Sequence, residues 1–125
     1  MQGTFATPAG WPGQLNIASY NTQSLVQAQR LHEVGGILNT ETALLLQGTQ
    51  LKPVNRSTPY NCSTVGKYSW THWWAGGSGL TNKSTGVSIG LNHRYIKKRH
   101  VRAVYSPPPA LQGRGGAVRV KNSQM

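Results

Sequence analysis

The sequence predicts an α+β fold: one strand-helix-strand unit followed by a run of antiparallel strands. Three observations carry that prediction. An alternating string and a continuous apolar run flank a segment of helical spacing, the pattern of a parallel crossover in roughly 35 residues. The later apolar segments are short and separated by Gly- and Pro-rich punctuation. No internal repeat or coiled-coil heptad competes with this reading.

Residues 1–14 hold several Gly and Pro without periodicity and read as an irregular lead-in, so the domain is expected over 15–125. Leu-Asn-Ile-Ala-Ser-Tyr, from Leu15 to Tyr20, alternates and predicts a strand that ends at the polar cluster Asn21 to Ser24. Leu25, Ala28, Leu31, Val34 and Leu38 follow helical spacing, with Ser24 as the expected N-cap and Asn39 as the stop. Thr42 to Gln50 is a strand buried on both faces that ends in Gln-Gly-Thr. Residues 51–67, rich in Pro, Asn, Ser and Thr, read as a long surface connection. Strands then follow at Lys67 to Ala75, Thr85 to Leu91, His100 to Ser106 and Gly116 to Lys121, separated in part by Gly76 to Gly79 and Pro107 to Pro109. No helix is expected after the last strand, so one sheet face is expected to stay bare and sticky.

Thirteen Lys and Arg stand against two acids, a formal charge of +11 in 125 residues. Hydrophobic residues make up 37%, enough for a modest core, and simple disorder by charge is not the reading. Glu33 and Glu41 are the only carboxylate side chains, which excludes any self-sufficient centre needing three or four of them. The one cysteine, Cys62, makes no internal disulfide, and no Cys or His spacing resembles a zinc site. With no leader-like N-terminus and no apolar run beyond Ala43 to Leu46, an intracellular protein, nuclear or cytoplasmic, away from the membrane is expected.

Four segments point to one family. Leu15 to Leu25 resembles a first strand that runs into a metal- and phosphate-binding asparagine, here Asn21. Leu31 to Leu51 resembles the next helix and a strand ending in Gln-Glu-Thr. Gly76 to Leu91 resembles a glycine-led strand, and Val104 to Asn122 a strand pair around Gly113-Arg114. In order and spacing they resemble the N-terminal half of the endonuclease/exonuclease/phosphatase superfamily, which includes deoxyribonuclease I, apurinic endonucleases and the endonuclease domains of non-LTR retrotransposons. The resemblance implies part of a deoxyribonuclease I-like α/β sandwich. It also implies an ancestral Mg²⁺-dependent cleavage of phosphodiester bonds in nucleic acid.

Two departures weigh against activity. Gly48 stands where the family has its metal-binding glutamate, and the chain lacks the family's later Tyr, Asp-x-Asn and Ser-Asp-His motifs. Hydrolysis by this route needs a hard cation held by carboxylates and a base that steers water. Glycine supplies neither. A missing C-terminal half, or a second copy, is the partner that would complete such a domain.

Other residues carry two readings each. Asn21 reads as a phosphate or metal contact, or as the turn residue ending a strand; Gln47 and Thr49 read as structural at a position where ligands bind in such sheets. Arg94, Lys97, Lys98, Arg99 and Arg102 read as phosphate contacts or as a solvated turn. Arg114 reads as structural or as a further nucleic-acid contact. Trp70, Trp73, Trp74 and Tyr68 read as base-stacking groups or as cross-strand packing. His72 and His93 have no carboxylate partner in sequence, and Cys62, placed in a polar loop, is not expected to be a nucleophile. The expectation is thus an incomplete or degenerate metal-dependent endonuclease domain, inactive as it stands. The alternative is a small basic nucleic-acid-binding protein without catalysis, and a third possibility is the product of a decayed element.

Overall fold

The alternating string and the apolar run pair in parallel around one helix. The computed structural model describes residues 2–5, 15–38, 40–52, 59–64, 69–75 and 85–121. Strand β2 (Leu15–Asn21) leads into helix α1 (Ala28–Leu38), which returns to β3 (Ala43–Gln47), and β2 and β3 run side by side from Ile17↔Ala43 to Asn21↔Gln47. The predicted crossover is therefore present.

Around it the sheet has six strands in the order β1-β2-β3-β6-β5-β4, with β1 (Gln2–Phe5), β4 (Tyr60–Thr64), β5 (Ser69–Trp74) and β6 (Val87–Asn92) all joined through antiparallel pairs. Strands β7 (Val101–Tyr105) and β8 (Ala117–Val120) form a second, two-stranded sheet. The class is α+β, as the patterning predicts.

Leu44 and Leu46 on β3 and Ala18 on β2 point to α1, where Val34 and Leu38 meet them together with Leu25 and Trp73. Burying a Leu side chain is worth about 1.5–3 kcal/mol relative to exposure. On the opposite face Ala43, Leu91 and Ile96 form a second cluster against Ile17, Ile89, Val101, Val118 and Val120. The face expected to be bare is thus covered in part by the β7–β8 hairpin. A two-stranded ribbon does the work for which the sequence seemed to require helices.

Three further expectations are corrected. Gln2–Phe5, inside the expected irregular lead-in, pairs with β2. Tyr60–Thr64, inside the expected surface connection, is an outer strand that among the described residues pairs only with β5, and Cys62 lies in that strand rather than in a loop. Outer strands tolerate Asn, Ser and Thr because one edge remains unpaired. The helix begins at Ala28 rather than after Ser24. Gln23 and Ser24 have positive φ, and the Leu25 N–H donates to the Thr49 carbonyl at 2.8 Å, which holds this stretch out of the helix. The expected stop at Asn39 and the Gly76–Gly79 separator lie outside the described residues. Among the described residues, no helix is long and apolar enough to cross a membrane.

Candidate nucleic-acid interface

The parallel register brings Asn21 and Gln47 to the same end of the sheet. There the Thr22 N–H donates to the Gln47 carbonyl at 2.8 Å, and the Thr22 hydroxyl donates to the carbonyls of Gln47 and Gly48 at 3.0 and 3.1 Å. Asn21 Oδ1 accepts from the Gln23 N–H at 3.2 Å. Gly48 turns the chain at φ +67°, and a Cβ there would lie 2.8 Å from Asn21 Oδ1. Thr49 and Gln50 donate their N–H groups to the carbonyls of Gly86 and Thr85, and the Gly86 N–H donates to Gly113 at 2.7 Å. This last bond brings the loop of Arg114, an exposed residue, to the same end. Arg30 Nη1 donates to the Thr22 and Ser24 carbonyls, closing the loop after β2. Its position at the start of the helix was the only sequence signal for it.

This end does not fit Mg²⁺. A hard cation takes about six oxygen ligands. Asn21 offers one amide oxygen, already accepting a backbone N–H, and Gly48 offers no side chain. Glu33 lies on the exposed side of α1. The Glu41 carbonyl accepts from Asn92, at the far end of β6. Among the described residues, no group of three or more His, Cys, Asp or Glu could hold a metal ion.

The basic run lies at the other end. Because β6 is antiparallel to β3, with Gln47↔Val87 and Ala43↔Leu91, the chain leaves Asn92 far from Asn21. Five residue steps of roughly 3.4 Å separate Val87 from Asn92, about 17 Å along the strand. Asn92 is fully buried. Its Nδ2 donates to the carbonyls of Leu38 (2.7 Å) and Glu41 (3.0 Å), and its Oδ1 accepts from the Arg94 N–H (2.9 Å). Two more N–H groups, of Tyr95 and Ile96, donate to the Asn92 carbonyl, and Ile96 is buried in the second cluster.

A 3-10 turn, Lys98–His100, follows. The Lys97 N–H donates to His100 Nδ1 at 3.0 Å, and the Lys121 N–H donates to the His100 carbonyl at 2.8 Å, which brings the end of β8 alongside. Arg94, Lys98, Arg99, Arg102, Arg119 and Lys121 are exposed around this framework, and Lys97 is half-buried. Burial, then the positive charges of Arg99, Arg102 and Lys97, push the His100 pKa down from its ordinary value. Arg94, Lys97, Lys98, Arg99 and Arg102 are therefore brought together, whereas Asn21, Gly48 and the Arg114 loop gather at the opposite end. Arg119 and Lys121 join the first group through the pairing of β8 with β7, which no local sequence pattern discloses.

The aromatic strand divides. Trp73 and Trp74 are buried, with their Nε1–H groups donating to the hydroxyls of Ser63 (2.8 Å) and Ser106 (3.1 Å), so both serve packing. Trp70 is half-buried; its Nε1–H donates to His93 Nδ1 at 2.8 Å, and Lys98 Nζ sits 4.7 Å from its ring centre. Tyr68 lies outside the described residues. Burial, and then Cys62 beside it, push the Tyr60 phenol up to about 12. Burial also pushes the Cys62 thiol up against the opposing pull of Tyr60 and Lys98, which disfavours the reactive thiolate. No protein-family model matches the chain, and neither a curated protein nor a solved structure matches it.

Proposed function

We propose that this chain binds nucleic acid through the basic end of its sheet and does not cut it, as a degenerate domain of the endonuclease/exonuclease/phosphatase type. One observation carries the reading: Arg94, Lys98, Arg99, Arg102, Arg119 and Lys121 stand exposed around one anchored turn, in a chain with only two acids to oppose thirteen Lys and Arg. Most of that charge has no counter-charge within the chain, so a polyanion is the natural complement. Each phosphate neutralised releases counterions and adds a salt-sensitive increment to affinity.

The nuclease ancestry draws support from the meeting of Asn21 with Gln47-Gly48-Thr49 at one strand end. Ancestry and activity part there. The glutamate position is a glycine in a left-handed turn closed over by Asn21, and the residues at this end do not suit the family's Mg²⁺. A basic nucleic-acid binder with no catalytic ancestry uses the same charged turn and differs only in its history.

Nicking of supercoiled plasmid by the purified chain, with Mg²⁺ and with EDTA, tests the proposal alongside a gel shift at low and moderate salt. The expected result is a shift that weakens with salt and no nicking in either condition. Metal-dependent nicking that Asn21→Ala abolishes would overturn the inactive reading. Absence of any shift at low salt would overturn the binding itself.

A further inference from the structure

A cavity of about 270 Å³ opens between the sheet and the hairpin on the face away from α1. Tyr60, Trp70 and His72 line it from β4 and β5, and Ile96, Val101 and Val104 line it from the segment after β6 and from β7. Aromatic rings thus face branched aliphatic side chains across a gap. The Tyr60 and His72 rings stack at 5.9 Å with an interplanar angle of 19°, joined by a 2.7 Å hydrogen bond between the Tyr60 hydroxyl and His72 Nδ1. His72 is nine-tenths buried or more, and its Nε2 has no hydrogen-bond partner among the described residues. Lys97 and Lys98 also line the cavity, and Arg99 follows in the same turn.

From this combination we propose that the cavity receives one unstacked base of a single-stranded nucleic acid whose phosphates rest on Lys97, Lys98 and Arg99. The inference rests on the nucleic-acid reading above and deepens it. Three features favour this occupant. The cavity lies just under the roughly 300–1,000 Å³ of sites that enclose whole small ligands, a size for one planar group and not for a strand. Its wall is aromatic on one side, which suits the face of any base. Cations stand on its lining and beside it, where a nucleotide places its phosphate. A single strand fits better than a duplex, because its bases need no unpairing before they are splayed out. Burial lowers the His72 pKa and so disfavours its charged form.

The test uses the full chain and three probes: a thymidine dodecamer, an abasic strand of equal length and charge, and thymidine monophosphate. Cys62, the only cysteine, lines the cavity and serves as its reporter through the rate of alkylation by iodoacetamide. The dodecamer is expected to slow that alkylation about tenfold at saturation and to bind more tightly than the abasic strand, by the roughly 5- to 150-fold that one base-aromatic stack commands. Trp70→Ala is expected to erase this preference, bringing the affinities of the dodecamer and the abasic strand together. Should Trp70→Ala fail to fold, protection of Cys62 in the unaltered chain decides the matter. Equal affinity for both strands with Cys62 unprotected would overturn the inference and leave nucleic-acid binding intact. Protection by the mononucleotide equal to that by the dodecamer would overturn the strand as occupant. No binding of either strand would bring down the underlying reading as well.

Discussion

The two ends of the six-stranded sheet contrast in what holds them and in what they offer. At the Asn21–Gly48 end, backbone N–H and carbonyl groups of four separate segments bond one another, with glycines at Gly48, Gly86 and Gly113 in left-handed turns. At the Asn92–Arg102 end, one buried asparagine and one buried isoleucine anchor a turn with exposed cations. The first end has geometry with scattered cations, Arg30 and Arg114 among them, and the second has clustered charge on a fixed geometry. Catalysis on phosphodiesters needs both in one place. Binding needs only the second, and the separation of about 17 Å keeps the two from acting on one phosphate.

Breaking the basic end's anchor has the largest expected effect. Asn92→Leu removes donors to two carbonyls and the acceptor for Arg94, and a loss of about 3 kcal/mol is expected from the buried groups left unpaired. Urea unfolding measures it. Removing charge without touching the anchor comes next. The triple variant Lys98→Ala, Arg99→Ala, Arg102→Ala is expected to reduce the salt slope of duplex binding by about 2.7, so that roughly 40-fold less affinity is lost between 50 and 200 mM salt. An unchanged slope in a titration by fluorescence anisotropy would show that phosphates lie elsewhere.

At the opposite end, Gly48→Glu restores the carboxylate in name only. A left-handed backbone and contact with Asn21 are expected to cost about 1–2 kcal/mol and to give no Mg²⁺-dependent nicking. Acid provides a subtler comparison. The pKa of His100 in the fold lies below its ordinary value of 6.5, so the unfolded chain binds the proton more tightly. Its contribution is present above pH 6.5 and is lost as pH falls below it, at no more than about 1.4 kcal/mol per pH unit for one proton. His100→Gln is expected to flatten the decline in urea midpoint between pH 7 and pH 5. The smallest effect is the control: Gly36→Ala on α1, where a Cβ meets nothing within 4 Å, is expected to stabilise the fold by about 0.5–1 kcal/mol without altering nucleic-acid binding.

Much of this framework was legible in the sequence. The Leu15 alternation and the Ala43–Leu46 run are strong local signals, because burial on a sheet imposes period 2 or continuous apolarity. Tyr60–Thr64 was not legible, since Tyr-Asn-Cys-Ser-Thr has turn composition and becomes a strand only through pairing with the Trp-rich β5. The helix start was obscured for a similar reason: Ser24 has the side chain of an N-cap, but a long-range bond from Leu25 to Thr49 takes its neighbour elsewhere. As for the candidate site, the cation run was legible and its distance from Asn21 was not. That distance depends on β6 running antiparallel to β3. The roles of Trp70, Trp73 and Trp74 were likewise undecidable from spacing alone; position along β5 is what buries Trp74 and leaves Trp70, on the same face, half-buried beside Lys98.

Asn92 also joins three parts of the chain. Its backbone N–H is bonded to Thr42, its side chain to the last turn of α1 and the chain beyond it, and its carbonyl to the residues that begin the cationic turn. Helix terminus, central strand and the start of the cationic turn are therefore tied through one residue. Elements tied in this way are expected to open together and to exchange their amide protons as one unit. The backbone that carries the cations is thus tied to the core, so a polyanion arriving there has chiefly exposed side chains left to order.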